Sequence, residues 1–255
     1  MKLILPKNIF SSILKTALPQ EYQTEILYQE SSLICKSLEY NTSAIALIPS
    51  LELVNHRNLF VSNKIALSFD SVLSNSFFYF IEGEKKFQKI YLRGDISLNE
   101  ILLAKILFAE KFSSQIEITL DTNKSAEKGR DYIIAGDENF HSWDYSSAIS
   151  LADEVSEMID LPYVNFVFAS PDKDALEKFN KQINPVDEKI DSEIVNIIKE
   201  LNLSEKTKEF ITENLGSVYF DMTDNEETAV NELIKLIFYH GIIDDIFDVK
   251  FLPSK

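Results

Sequence analysis

Between residues 88 and 138 the spacing of apolar positions changes three times. Gln88 to Leu92 is a short apolar run, and Arg93-Gly94-Asp95 breaks it. Ser97-Leu98-Asn99-Glu100 then opens a stretch whose apolar residues recur at helical spacing. Ile116 to Leu120 and Tyr132 to Ala135 follow as compact apolar runs, the second stopped by Gly136-Asp137. Strand, helix, strand, strand is the order of a parallel α/β lobe, in which ligands collect at the C-terminal ends of strands and at helix N-termini. A helix start lined with hydroxyl and amide groups suits a carboxylate or phosphate, because its first backbone N–H groups have no partner inside the helix.

The flanking segments extend this pattern. Lys2 to Leu5 predicts a first strand, and Ile9 to Leu18 a short helix that Pro19 ends. Ala44 to Ile48 predicts a buried strand stopped by Pro49-Ser50. Lys64 to Phe69 and Phe77 to Ile81, rich in β-branched and aromatic residues, predict two more. A helix near Ser147 to Ile159 and a break at Leu161-Pro162 lead into the apolar run Tyr163 to Ala169. The last third reads as helical: Ile190, Ile194, Ile197, Ile198 and Leu201 form an amphipathic stripe, and Val230, Leu233, Ile234 and Ile237 form another that runs to Gly241. Thr223-x-x-Glu226 and Ser97-x-x-Glu100 are both capping-box signatures, whose most economical reading is structural.

Phe77 to Ile81 enters the strand–helix–strand region and Tyr163 to Ala169 leaves it. The expected fold class is α/β, with two lobes, a ligand cleft between them and a helical C-terminal tail. Residues 1–79 and 168–255 would form a discontinuous first lobe, residues 80–167 an inserted second one, and the cleft would close by hinge rotation.

Composition narrows the partners. The 255 residues are 45% hydrophobic and 11% aromatic, enough for a packed core. A formal net charge of −16 weighs against nucleic acid and anionic membrane, since no basic stripe is present to release counterions. An anionic ligand would need a locally positive pocket. The single cysteine, Cys35, cannot form an internal disulfide and reads as a half-buried spectator thiol rather than a nucleophile. MKLILPKNIF is too short an apolar run for a secretory signal, and no stretch of ~18 apolar residues occurs, so the expected location is cytoplasmic.

Four segments together resemble the menaquinone-biosynthesis family that contains chorismate dehydratase, a cytoplasmic version of the type II periplasmic-binding-protein fold. Ile45 to Leu53 is similar to the family's strand ending in Ile-Pro-Ser, and Ile65 to Phe80 to its serine-bearing segment. Tyr132 to Phe140 resembles its apolar strand closed by Gly-Asp, and Asp160 to Ala169 its Gly-Leu-Pro-Phe-Val-Phe-Ala crossover. The chain departs from the family in three places, one being the helix before the crossover, where Met158 or its neighbours stand in the region of the family's usual tryptophan. Pro6 to Ser12 stands where the family has Tyr-Leu-Asn, with Asn8 able to substitute only in a shifted loop, and Ser97-Leu98-Asn99-Glu100 stands where it has Ser-x-Thr-Ser.

The resemblance implies loss of water from chorismate, with no metal or organic cofactor. The partner would be a small-molecule carboxylate, and pairing into a homodimer stays open. Such an elimination needs a base, a donor for the departing hydroxyl and anchors for two carboxylates. Ser50, Ser68, Ser71, Ser97 and Asn99 would anchor the ligand from one cleft in this fold, and Gly136 would let backbone approach it closely. Asp137 would orient a ligand hydroxyl or cap the next turn. No base stands out: Glu100 is explained by its cap, and His141 reads as surface or cleft entrance. His240, Asp244 and Asp248 would share a metal face only if a helix continued through Gly241. No phosphate loop, nucleophile elbow, zinc spacing or dinucleotide fingerprint is present. Two readings follow: a cofactor-free lyase of the chorismate dehydratase type, or a non-catalytic binding or sensing module with the same cleft.

Overall fold

The computed structural model describes residues 2–83 and 87–253. The chain begins β1 (Leu3–Pro6), α1 (Ile9–Ala17), α2 (Gln20–Gln23), β2 (Ile26–Gln29), α3 (Ile34–Tyr40), β3 (Ile45–Pro49) and β4 (Phe60–Phe69). It continues β5 (Ser76–Tyr79), β6 (Lys89–Gly94), α4 (Leu98–Phe112), β7 (Glu117–Leu120), β8 (Tyr132–Ala135), α5 (Glu138–Ser142) and β9 (Ile149–Ser150). It ends α6 (Leu151–Ile159), β10 (Tyr163–Ser170), α7 (Lys173–Asn180), α8 (Val186–Glu200), α9 (Glu205–Asn214), β11 (Val218–Asp221), α10 (Asp224–Tyr239) and β12 (Lys250–Phe251).

Two sheets result. The first runs β11-β4-β10-β3-β1-β2, with β12 also paired to β4; the second runs β7-β6-β8-β5-β9. β1 is parallel to β2 and β3, while β10 is antiparallel to both β3 and β4. In the second sheet β6 is parallel to β7 and β8, and β5 runs antiparallel to β8 and β9. Strands β1, β3, β8 and β10 are buried along their whole length, which is why they read as continuous apolar runs rather than alternating ones.

The chain leaves the first sheet after Phe69 and re-enters it at Tyr163. Ser76–Tyr79 therefore pairs within the second sheet and Tyr163–Val167 within the first, whereas the sequence placed the lobe boundaries at 79/80 and 167/168. The last third holds β11 and β12 as well as its helices. Their residues complete one edge of β4, a pairing no local signal announces.

An apolar floor joins the two sheets. The Phe10 ring lies 4.9 Å from that of Phe69 and 6.1 Å from that of Phe140, which in turn lies 6.1 Å from Phe77. Tyr145, between α5 and β9, stacks on Phe210 of α9 at 4.6 Å and donates its hydroxyl to Thr207 Oγ1. Contacts of this kind draw the second sheet onto α1 and the C-terminal helices. No described helix is long and apolar enough to cross a membrane.

Candidate functional site

Above that floor runs a polar seam between the sheets, and its geometry starts from two glycines. Gly94 ends β6 at φ +85°, and a Cβ there would lie 2.1 Å from the Ala135 carbonyl oxygen. Gly136 follows β8 at φ +76°, where a Cβ would come within 3.0 Å of Asp95 Cβ. Only glycine adopts these turns so close to a neighbouring backbone. They bring the C-terminal ends of the parallel strands β6 and β8 together, and each is followed directly by an aspartate.

Both aspartates cross the seam. Asp95 accepts the Ser31 N–H at 2.7 Å and its hydroxyl at 2.6 Å, at the turn of 3-10 helix Ser31–Leu33. Asp137 accepts the Ile9 N–H at 2.7 Å, at the start of α1. Two helical N-termini of the first lobe are thus filled by carboxylates of the second, which satisfies orphan N–H groups and suits the helix dipole. The carboxylates pay in desolvation: burial pushes Asp95 up to about 6 against the Ser31 hydrogen bonds, and Glu100 and Glu30 add to the rise. Burial also raises Asp137, opposed by the Ile9 N–H and by His141 and Lys7.

A third crossing is neutral. Asn99, in the first turn of α4 and fully buried, accepts the Leu51 N–H at 3.0 Å. Its amide nitrogen donates to the Asn165 carbonyl at 2.7 Å and to Ser50 Oγ at 3.4 Å. The N-terminus of α4 itself is occupied from within. Ser97 and Glu100 form the expected capping box, and the Glu100 carboxylate accepts from Ser97 N, Ser97 Oγ and Ser76 Oγ. That cap, rather than a bound anion, answers the orphan groups of this helix, and it leaves Glu100 no evident role as a base.

The seam also holds every orphan among the described residues. The buried side-chain polar atoms without a hydrogen-bond partner are Asn8 Nδ2, Ser11 Oγ, both ends of the Asn75 amide and Asn165 Oδ1. Asn8 caps α1 through its Oδ1, and Ser11 lies in the first turn of that helix, beside the Asp137 contact. Asn75 receives Gly136 N–H and Asn139 Nδ2 on its backbone carbonyl, leaving its side chain unmatched. Asn165 gives its Nδ2 to the Tyr163 hydroxyl at 2.6 Å and its carbonyl to Asn99. Buried polar groups are nearly always paired, so five orphans on four residues that adjoin one seam call for an explanation.

The sequence-predicted residues divide accordingly. Ser50, Ser97, Asn99, Gly136 and Asp137 all adjoin the seam, but Asp137 neither caps the turn that follows it nor points away: it caps α1 across the gap. Ser68 donates its hydroxyl to the Tyr219 carbonyl on β11, and Ser71 accepts Ser150 Oγ through its backbone carbonyl. Among the described residues no hydrogen bond joins either to Ser50, Ser97 or Asn99, because β4 carries Ser68 toward the β11 edge. His141 is exposed on α5. His240 ends α10 beside Gly241 (φ +67°) and pairs with Glu110 at 3.1 Å, so no helical face joins it to Asp244 and Asp248. Asp95, Asn75 and Asn165 were not singled out from the sequence. Asn165 had a signal, as the one amide in an otherwise apolar strand; Asp95 looked like an ordinary turn residue.

Comparison with known proteins bears on the fold. No protein-family model matches the chain, and neither does any curated protein. Protein AF1704 from Archaeoglobus fulgidus is similar over 94% of this chain and 98% of its own, at 12% identity and a TM-score of 0.61. The alkanesulfonate-binding protein SsuA from Xanthomonas axonopodis pv. citri, bound to MOPS, is similar over 100% and 98% at 13% identity and a TM-score of 0.58. An ABC transporter protein from Parabacteroides distasonis gives a TM-score of 0.54 at 13% identity, over 100% of this chain and 99% of its own. The fold is therefore the two-lobed α/β fold of periplasmic substrate-binding proteins.

Proposed function

We propose that this chain binds a small polar molecule bearing a carboxylate, in the seam between its two sheets. The observation that carries the reading is the set of orphaned atoms on Asn8, Ser11, Asn75 and Asn165. They offer two amide donors, two amide acceptors and a hydroxyl, a mixture suited to a ligand with hydroxyl and carboxyl groups. The carboxylate preference follows from the N–H groups of Ile9 and Ser31, which already hold the carboxylates of Asp137 and Asp95. Those side chains occupy the positions that a ligand's own carboxylates would take once the lobes part. In this reading the lobes divide where the chain changes sheet, in residues 70–75 and 151–162, and ligand exchange needs that division to hinge. Isothermal titration calorimetry with chorismate and simple dicarboxylates tests it: one saturable site per chain is expected, and no heat from any of them would remove the carboxylate assignment.

A second, finer reading is dehydration of chorismate. It is favoured by the four sequence segments that resemble the chorismate dehydratase family, two of which contain the seam residues Ser50 and Asp137. The polar groups there would bind and orient the dicarboxylate; proton removal has no assigned residue, since Glu100 is committed to its cap. Ultraviolet absorbance during incubation with chorismate decides between the two readings. Growth of an aromatic band that depends on the protein supports the lyase, and binding without that band leaves a binder or sensor.

A further inference from the structure

We propose that Cys35, Glu52 and His56 form a binding site for one divalent cation of the zinc type, on the first lobe and apart from the seam. The three side chains come from two elements. Cys35 is the second residue of α3, and Glu52 lies in the 3-10 helix Ser50–Val54. The chain continues past that helix with the His56 N–H donating to the Glu52 carbonyl at 3.1 Å, so Glu52 and His56 stand four residues apart on one face. The Cys35 Sγ, a Glu52 carboxylate oxygen and a His56 ring nitrogen all lie within 4.8 Å of one another, with His56 Nε2 3.9 Å from Glu52 Oε2. Among the described residues this is the one group of three potential ligands so placed.

A tetrahedral zinc ion, bonded at about 2.0–2.3 Å, holds its ligand atoms roughly 3.3–3.7 Å apart. The tetrahedral spacing would be reached by side-chain rotations of Glu52 and His56, which are 15% and 22% exposed, toward Cys35, 5% exposed in the core. Thiolate, imidazole and carboxylate are the donor set that borderline ions accept, and hard oxygen-seeking ions such as magnesium do not. On ligation the thiol proton leaves to solvent, and thiolate plus carboxylate then balance the two positive charges. A core thiol with no such role would need neither neighbour, whereas here a carboxylate and an imidazole converge on it.

Cobalt titration of the full chain, purified reduced and metal-free, tests the site. One equivalent of Co²⁺ should produce a thiolate-to-cobalt charge-transfer band in the near ultraviolet, and Zn²⁺ should abolish it. Cys35→Ser should remove the band, and His56→Gln, a change at a partly exposed position, should weaken Co²⁺ binding at least about tenfold. Absence of the band in the wild-type chain at millimolar Co²⁺ would overturn the proposal. So would a band that survives Cys35→Ser, or wild-type Co²⁺ affinity in His56→Gln.

Discussion

Asp95 concentrates the cost of the closed seam in one side chain. Its carboxyl is held at about 6 against an ordinary 3.8, chiefly by burial, so the folded chain takes up a proton there more readily than the unfolded chain. The associated stability is present in full below about pH 4 and is lost as the pH rises through 6, on the order of 2–3 kcal/mol. Asp95→Asn keeps an acceptor for the Ser31 N–H and a donor for its hydroxyl without the buried charge. Urea unfolding at pH 4 and pH 7 should therefore show a smaller fall for the variant than for wild type; an undiminished fall would contradict the assignment. Gly94 is constrained differently. With φ +85° and the Ala135 carbonyl 2.1 Å from any Cβ, Gly94→Ala must displace backbone at the end of β6. It should cost more than about 2 kcal/mol, seen as a melting temperature several degrees lower, and an unchanged melting point would show that the turn relaxes freely.

Among the elements, α4 matters most because its first turn belongs to both lobes at once. Ser97 and Glu100 close its N-terminus, and Asn99 between them reaches Leu51, Ser50 and Asn165. Ser97→Ala removes one of the hydroxyl donors to the buried Glu100 and should cost about 1–2 kcal/mol by denaturant unfolding. A loss below a few tenths would mean that the cap is dispensable. This helix was legible in the sequence because its signals are local: a cap serine, a glutamate three residues on and helical spacing thereafter. The same holds for α10 behind Thr223 and for β1, β3, β8 and β10, whose buried residues read as unbroken apolar runs. β2 and β11 were not legible. Ile26–Gln29 and Val218–Asp221 are four-residue strands, none of the former's residues fully buried, and what makes them strands is pairing with Leu3–Pro6 and with β4. The first half of β4 was hidden by Ser62 and Asn63, polar residues buried against α7 through Asn180.

For the whole molecule, the two-lobed plan was readable because the strand–helix order implied it, and the structure carries it as two sheets with a shared apolar floor. The candidate site was readable only where it coincides with strand ends and helix starts, as at Ser50, Ser97, Asn99, Gly136 and Asp137. Ser68 and Ser71 shared a serine-rich segment with the site but not its space. Asp95, Asn75 and Asn165 gain their meaning from partners 61 or more residues away, which no local pattern encodes. The seam is closed by three side chains and underlain by Phe10 and Phe140, yet it retains amide atoms that nothing among the described residues satisfies. Such groups reduce stability, and function is the physical reason to keep them.

Asn75 is the sharpest case, since both ends of its amide are buried without a partner. The decisive measurement is the melting temperature of wild type and Asn75→Leu, each with and without a seam-binding carboxylate. Ligand at ~100 times its dissociation constant should stabilise wild type by ~2.7 kcal/mol, a shift of about 5–10 °C. Asn75→Leu should melt at or above the wild-type temperature without ligand and show little or no shift with it. A variant that melts several degrees lower on its own, or that keeps the full ligand shift, would contradict the claim that this seam is a binding site.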